Sequence, residues 1–446
     1  MPDAATPRTA LPVDDASREQ LHNEVHARPS ARIRLPALVL FVAVLNDGVS
    51  RETECAHLQR LPGQQGLRPA DLRGNFLRLR FADHTVKWER HTEFTRYVIV
   101  QPLPEDAGLG ATEPELLQGL VVSAEWLRAI PGRTVAAVKL VMVNHELSDP
   151  HAVLALGQQW LGGRTVVASL LGHGHSMVVT NFRLQANGFE RMLVIAPPGT
   201  SETRAGRISQ RLLELEIYRL MALRGLPVAK ALGPMLNEAE ADLVDVTAKL
   251  EARQASASEL LDALIHDAAR VERATAENAY RFSATQAYDT LVRQRIAELR
   301  EKPIPGTQTV GEFMQRRLSP AMATVAATAA RLASLSQRIE RASALLRTRV
   351  DIATEAQNQQ LLAKLTRGQE LQLSLQTTVE GLSIAAISYY VISLLLYSGK
   401  ALKALGLPIN PEMAAGALIP VVLWGVWKAT QRVHAKLHGG GAAGGA

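Results

Sequence analysis

Three rhythms of apolar and polar positions succeed one another along the chain. From Leu35 to Pro197 the apolar residues come in short runs bounded by turn-forming residues, which is the spacing of strands. Leu35–Leu45 (LPALVLFVAVL) is a continuous apolar run and suits a strand covered on both faces. Residues 74–100 (GNFLRLRFADHTVKWERHTEFTRYVIV) predict two or three strands joined at Ala82-Asp83-His84. TVAAVKLVMV, RTVVASLL, SMVVTNFRLQ and RMLVIAP add more, with Gly172-His173-Gly174-His175 as a hairpin turn. Helical spacing interrupts the strands at PELLQGLVVSAEWLRAI and HAVLALGQQWL, and a short helix, SREQLHNEVHA, is expected to stop before Pro29.

After Pro198-Gly199-Thr200 the period becomes helical. Ser201 or Thr203 caps a helix with an apolar stripe through Ile208, Leu212, Leu215 and Met221, and Gly225-Leu226-Pro227 with Gly233-Pro234 punctuate its end. Residues 235–300 predict a helical hairpin, and Lys302-Pro303-Ile304-Pro305-Gly306 a turn. From Val310 to Thr377 the one strong breaker is Pro320, so a helix of about 100 Å is expected at a rise of about 1.5 Å per residue. Its apolar positions, Leu332, Leu335, Ile339, Ala342, Leu346, Val350, Leu361 and Leu365, mix spacings of three and four and then drift, as in a stalk or bundle helix rather than a strict coiled coil.

The third rhythm is the absence of one. GLSIAAISYYVISLLLYSG carries no charge and is long enough to cross hydrocarbon, and MAAGALIPVVLWGVW follows after a short turn, with Trp424 and Trp427 placed as an interfacial belt. Pro420 kinks this second segment, which membranes tolerate. Lys364 and Arg367 precede the pair and Lys428, Arg432 and Lys436 follow it, while Lys400, Lys403 and Glu412 lie between. That balance favours both termini in the cytoplasm.

The expected layout is a disordered leader over 1–17, a cytosolic α+β domain over 18–199 and a helical region over 200–306. A long stalk helix over 307–377 follows, then transmembrane helices over 378–398 and 407–428, and a basic, then Gly/Ala-rich, cytosolic tail over 429–446. The fold class is thus an α+β cytosolic domain followed by a long helical stalk and a two-helix C-terminal transmembrane hairpin. Composition changes this picture little. The 446 residues carry 49 Lys and Arg against 43 Asp and Glu, a net charge of +6 that is spread out rather than gathered into a block that grips nucleic acid. Cys55 is the only cysteine, so no internal disulfide forms, which suits a reducing cytosol. The N-terminus lacks the charged and apolar regions of a signal peptide, so the first domain is expected to stay in the cytoplasm.

Several motifs together resemble one bacterial family, uncharacterised membrane-anchored proteins built on a single domain of unknown function. The carriers are NEVHARP at Asn23–Pro29, WERHTEF at Trp88–Phe94, TNFR at Thr180–Arg183, ELRE and GTQTVGEFMQRRLSPAM within Glu298–Met322, and LLRTRVDIATEAQNQQLL with VEGLSIAAISYY within Leu345–Tyr390. The resemblance implies anchoring in a bacterial inner membrane and no assigned activity. At the level of layout the chain is also similar to the CorA magnesium channels. It departs from them where they carry Gly-Met-Asn, having Tyr397-Ser398-Gly399-Lys400, and a lysine at an entrance opposes cations.

The candidate chemistry centres on two motifs. In NEVHARP, His22 and His26 sit four apart and share a helix face, as metal-binding pairs do, or else the helix docks on the sheet through His26 and Arg28. On a strand, WERHTEF places Glu89, His91 and Glu93 on one face, a row that holds a divalent cation, does acid/base work, or is a solvated face pairing with Arg28 and Arg183. The expectation is that His26, Arg28, Glu89, His91, Glu93 and Arg183 converge on one polar site. His145, Glu146, His151, His173 and His175 form a second scatter of possible ligands, for which the better reading is surface histidine. No nucleotide-binding, hydrolase or redox motif is present. The leading expectation is a non-enzymatic, membrane-tethered homo-oligomer, joined through stalk and transmembrane helices, whose cytosolic domain senses or scaffolds. The alternatives are a CorA-like cation channel or transporter, with Ser383, Ser388 and Ser393 as candidate pore residues, and a membrane-bound enzyme using the Glu-His-Glu row.

Overall fold

The computed structural model describes residues 15–18, 21–22, 30–64, 66–105, 107–109, 119–163, 166–405 and 410–438, with side chains excluded over 433–438. It divides into two compact units, Met1–Ser343 and Ala344–Ala446.

Among the described residues, the first unit is built on a nine-stranded mixed sheet. In chain order its strands are β1 (Ala37–Leu45), β2 (Phe76–Arg80), β3 (Thr85–Arg90), β4 (Phe94–Pro102), β5 (Arg133–Asn144), β6 (Val167–Leu171), β7 (Ser176–Thr180), β8 (Glu190–Ala196) and β9 (Lys302–Pro303). They lie in the order β2-β3-β4-β1-β5-β8-β7-β6-β9. Every named pairing is antiparallel except β5 with β8. The continuous apolar run is the central strand β1, whose side chains enter cores on both faces. Val39, Phe41 and Ala43 point to one face, Leu40, Val42 and Val44 to the other. That is why no polar alternation marks it.

Helices cover both faces. On one lies α4 (Glu202–Leu223), joined by the C-terminal end of α6 (Ala257–Leu299) and by α7 (Val310–Arg317). On the other, α1 (Arg51–Leu58) and α2 (Ala124–Arg128) cover the β2 side, and α3 (Pro150–Trp160) covers the β8 side. Helix α4 and the C-terminal end of α6 therefore share one core with the sheet. Gly206 of α4 lets the chain at Ala31 cross the helix, since a Cβ there would overlap the Ala31 carbonyl oxygen.

Three expectations shift. Gly225 and Pro227 open the helix α5 (Gly225–Ala252) rather than ending a segment, because proline is tolerated in a first turn, and α5 then runs through Pro234. The helical hairpin α5–α6 follows as expected. The strand around TNFR stops at Thr180, and Phe182 takes a left-handed conformation in the loop beyond it. WERHTEF is not one strand: β3 ends at Arg90 and β4 begins at Phe94. The Gly-His-Gly-His turn between β6 and β7 is as expected. Of the SREQLHNEVHA helix, Arg18, Leu21 and His22 are helical, and Asn23–Pro29 lie outside the described residues.

Helix α8 (Ser319–Ala404) takes in both the expected stalk and the first apolar segment, and α7 ends just before it, near Pro320. The second unit consists of its later part and α9 (Pro411–His438). Both helices are long and apolar enough to cross a membrane. Lys400 sits 6.0 Å from the Tyr397 ring and Lys428 4.5 Å from the Trp424 ring, so aromatic and basic side chains pair where each apolar run ends.

Candidate functional site

The β3–β4 hairpin carries a dense network of buried polar groups. Glu89 and Arg96 face each other across the two strands, on the side covered by α4. Glu89 is fully buried. It takes Arg96 Nε on one oxygen and Lys87 Nζ, at 2.8 Å, on the other. Arg96 Nη2 reaches Glu214 of α4 at 3.2 Å, and Glu214 also accepts from Gln210 at 2.8 Å and from Arg295 of α6 at 2.6 Å. Arg295 in turn holds Glu298 at 2.8 and 2.9 Å. Burial works against the Glu89 carboxylate, but the charges of Arg96 and Lys87 outweigh it and hold the group at about 2. Ion pairs this far from water stand only when each charge is met. The chain of charges fastens the sheet to two helices.

The other face of the hairpin fixes the turn at its end. Glu54 of α1, fully buried, takes Arg90 Nη1 at 2.7 Å and the Thr95 hydroxyl at 2.6 Å. Arg90 Nη2 donates to the Val49 carbonyl at 2.8 Å, and Asn46 Nδ2 donates to the His91 carbonyl at 2.9 Å. The Asn46 amide donates to the Glu93 carbonyl at 3.2 Å. The residues from 90 to 93 are thus held from several sides.

Two clefts adjoin this turn and share Arg90 and Thr92. One, about 600 Å³, has Arg51, His91, Phe94, Tyr218 and Tyr288 on its walls. The other, about 630 Å³, is lined by the loop 45–50 and by Arg133, Arg224, Tyr280 and Arg281, with Glu93 and Asp47. Both volumes suit a small-molecule site. Glu93 pairs with Arg281, and His91 stacks on Phe94 at 4.5 Å.

A second buried cluster lies where β8 meets α4. Glu190 and Glu216 share Arg219, which stands 3.3 Å from Glu190 and 3.0 Å from the Glu216 Oε2. Burial, then the Glu216 charge, push Glu190 up to about 8 despite Arg219. His57, packed 4.3 Å from Trp126, is depressed to about 4 by burial and by Arg60, and it stays neutral at physiological pH.

Of the residues singled out in the sequence, His26 and Arg28 lie outside the described residues, and His22 is exposed. The structure brings His91 and Glu93 to neighbouring clefts. Glu89 belongs to the buried network, because the strand ends before His91 and the alternation that would align the three is broken. Arg183 is exposed in the loop after β7. Among the described residues, no group of three or more His, Cys, Asp or Glu is placed to hold one metal ion. Sequence reasoning missed Arg96, Glu214, Arg219, Arg224 and Arg281. One signal was present: Glu214 and Glu216 interrupt the apolar run of α4 at positions two apart, so they cannot both face water from a helix buried on one side.

The sequence model of a family described as "Protein of unknown function (DUF3422)" matches residues 14–437. No curated protein and no solved structure matches the chain, and neither comparison shows a likeness to the CorA channels.

Proposed function

We propose, from the premise that the chain belongs to the DUF3422 family of unknown function, that it is a membrane-anchored protein whose first unit is a sensing or scaffolding domain. The observation that carries this reading is the nakedness of the apolar helices. Only 6% of the most apolar window of each is buried within the structure. A core helix of a water-soluble protein would be covered, and exposed side chains such as Leu382, Leu394 and Val421 form a surface that water does not tolerate at this extent. A bilayer covers them, with Tyr397, Lys400, Trp424 and Lys428 at its interfaces. The absence of charge from Gly381 to Gly399 fits the same account.

In this reading the membrane is the bacterial inner membrane, and the ends of the chain are cytoplasmic. Copies associate through α8, where Leu361, Leu362 and Leu365 are more than half exposed ahead of the apolar run. The chemistry of the first unit lies at the clefts beside the β3–β4 turn, with His91 and Glu93 among their walls. The experiment is an alkaline carbonate wash of membranes from cells expressing the full chain. The protein is expected to remain with the lipid pellet and to leave it only with detergent. Release into the carbonate supernatant would contradict anchoring.

A further inference from the structure

We propose that the cleft between the 45–50 loop and the start of α5 binds the phosphate of a mononucleotide-sized ester. This inference rests on the sensing half of the reading above and is independent of the anchoring half.

Charge is the first argument. Four guanidiniums, from Arg90, Arg133, Arg224 and Arg281, line the cleft against the carboxylates of Asp47 and Glu93. Two of the four are already matched: Arg90 by Glu54, and Arg281 by Glu93. Arg133 and Arg224 have no ion pair among the described residues. Set against the Asp47 carboxylate, they leave the cleft with a net excess of one positive charge, which favours an anion such as a phosphate monoester. Their planar forks fit phosphate oxygens two at a time.

Unmet donors are the second argument. Among the described residues, Arg224 Nε and Arg281 Nη1 are buried without a hydrogen-bond partner, as is one acceptor of the same cleft, Glu93 Oε2. Buried polar groups are nearly always satisfied in folded proteins, and two donors against one acceptor leave the site one acceptor short. Both donors belong to cleft-lining side chains. The Tyr280 ring lies 5.7 Å from the Arg281 guanidinium. Asn46 and Arg90 hold the β3–β4 turn in place, which limits the ordering cost of binding.

Size and wall chemistry name the rest of the ligand. Inorganic phosphate fills a small part of about 630 Å³. Past Arg90 and Thr92 the neighbouring cleft offers Phe94, Tyr218 and Tyr288, aromatic walls suited to a planar ring. A phosphate on the arginine side and a base on the tyrosine side span the two clefts.

The test is calorimetric titration of the full detergent-solubilised chain with inorganic phosphate, AMP and adenosine. AMP is expected to bind saturably and more tightly than phosphate, with adenosine silent. Arg224→Gln and Arg133→Gln should each weaken AMP about tenfold or more, the effect of one lost charge-assisted contact. Arg133 is exposed, so its variant folds whatever becomes of the Arg224 variant. Arg207→Gln, a change of equal charge at an exposed position of α4, should leave affinity unchanged. A parallel arm uses nanodiscs of neutral lipid with or without phosphatidic acid. Thermal stabilisation by phosphatidic acid alone, lost in Arg133→Gln, would keep the phosphate site at the arginines, assign its source to a headgroup and overturn the base on the tyrosine side. No saturable response to any phosphate, or equal losses in Arg207→Gln and Arg133→Gln, would overturn the proposal. Because binding is read in detergent, its failure is separate from a failure of membrane anchoring.

Discussion

Replacing Glu89 by alanine is expected to destabilise the first unit by about 3–5 kcal/mol, the range seen when one partner of a buried ion pair is removed. The substitution deletes a carboxylate with no exposed surface and leaves Lys87 and Arg96, both almost fully buried, facing apolar neighbours. Arg96 keeps Glu214 at 3.2 Å, but among the described residues Lys87 has no second carboxylate at bonding distance. The measurement is a denaturant titration followed by tryptophan fluorescence, which Trp88 beside the site reports. A loss below about 1 kcal/mol would show that the network contributes little, as exposed pairs do. The pH dependence has a defined sign. The folded carboxyl, at about 2, lies below its ordinary value, so its contribution is present above pH 4.5 and is lost as pH falls toward 2. Glu89→Ala should lack that acid-side slope.

Glu190→Gln should act in the opposite sense and at the other end of the pH range. Burial and the neighbouring Glu216 charge raise the Glu190 carboxyl to about 8 in the fold, above the 4.5 of an ordinary glutamate. A raised carboxyl binds a proton that the unfolded state releases, so stability is greatest below pH 4.5 and falls as pH rises from there to about 8. The span is on the order of a few kcal/mol. Glutamine keeps the shape of the protonated acid without its charge. The variant should therefore lose this part of the slope between pH 5 and 8 and exceed the parent in stability above pH 8. Parallel profiles for the two proteins would mean that Arg219 neutralises Glu190 throughout.

These two sites show what was legible in the chain and what was not. The apolar run of β1, the Gly172–His175 turn, the α5–α6 hairpin and the charge-free segment of α8 each announce themselves within a few consecutive residues. Their structure follows from local pattern and burial. The turn between β3 and β4 did not, because His91 and Thr92 are not turn-forming types and the polar alternation of WERHTEF runs straight through it. What bends the chain there is tertiary: Asn46 from the end of β1 and Arg90 from β3 hold it. The partners of Glu89 were equally out of reach. Glu214 and Arg295 meet Arg96 from helices far along the sequence, and no period connects them. Gly225 and Pro227 misled for a related reason: the residues that end one helix also begin another when the chain folds back at once.

The central claim, that the two C-terminal helices span a bilayer, is tested most directly by labelling single cysteines. Cys55 is buried and is replaced by serine, and cysteine is introduced at Ser398, at the C-terminal end of the first apolar run, or at Thr430, beyond the second. In intact cells whose outer membrane is permeabilised, a charged, membrane-impermeant maleimide should label Ser398→Cys. It should reach Thr430→Cys only after the inner membrane is opened. Equal labelling of the two positions before opening, or protection of both, would contradict a pair of spanning helices.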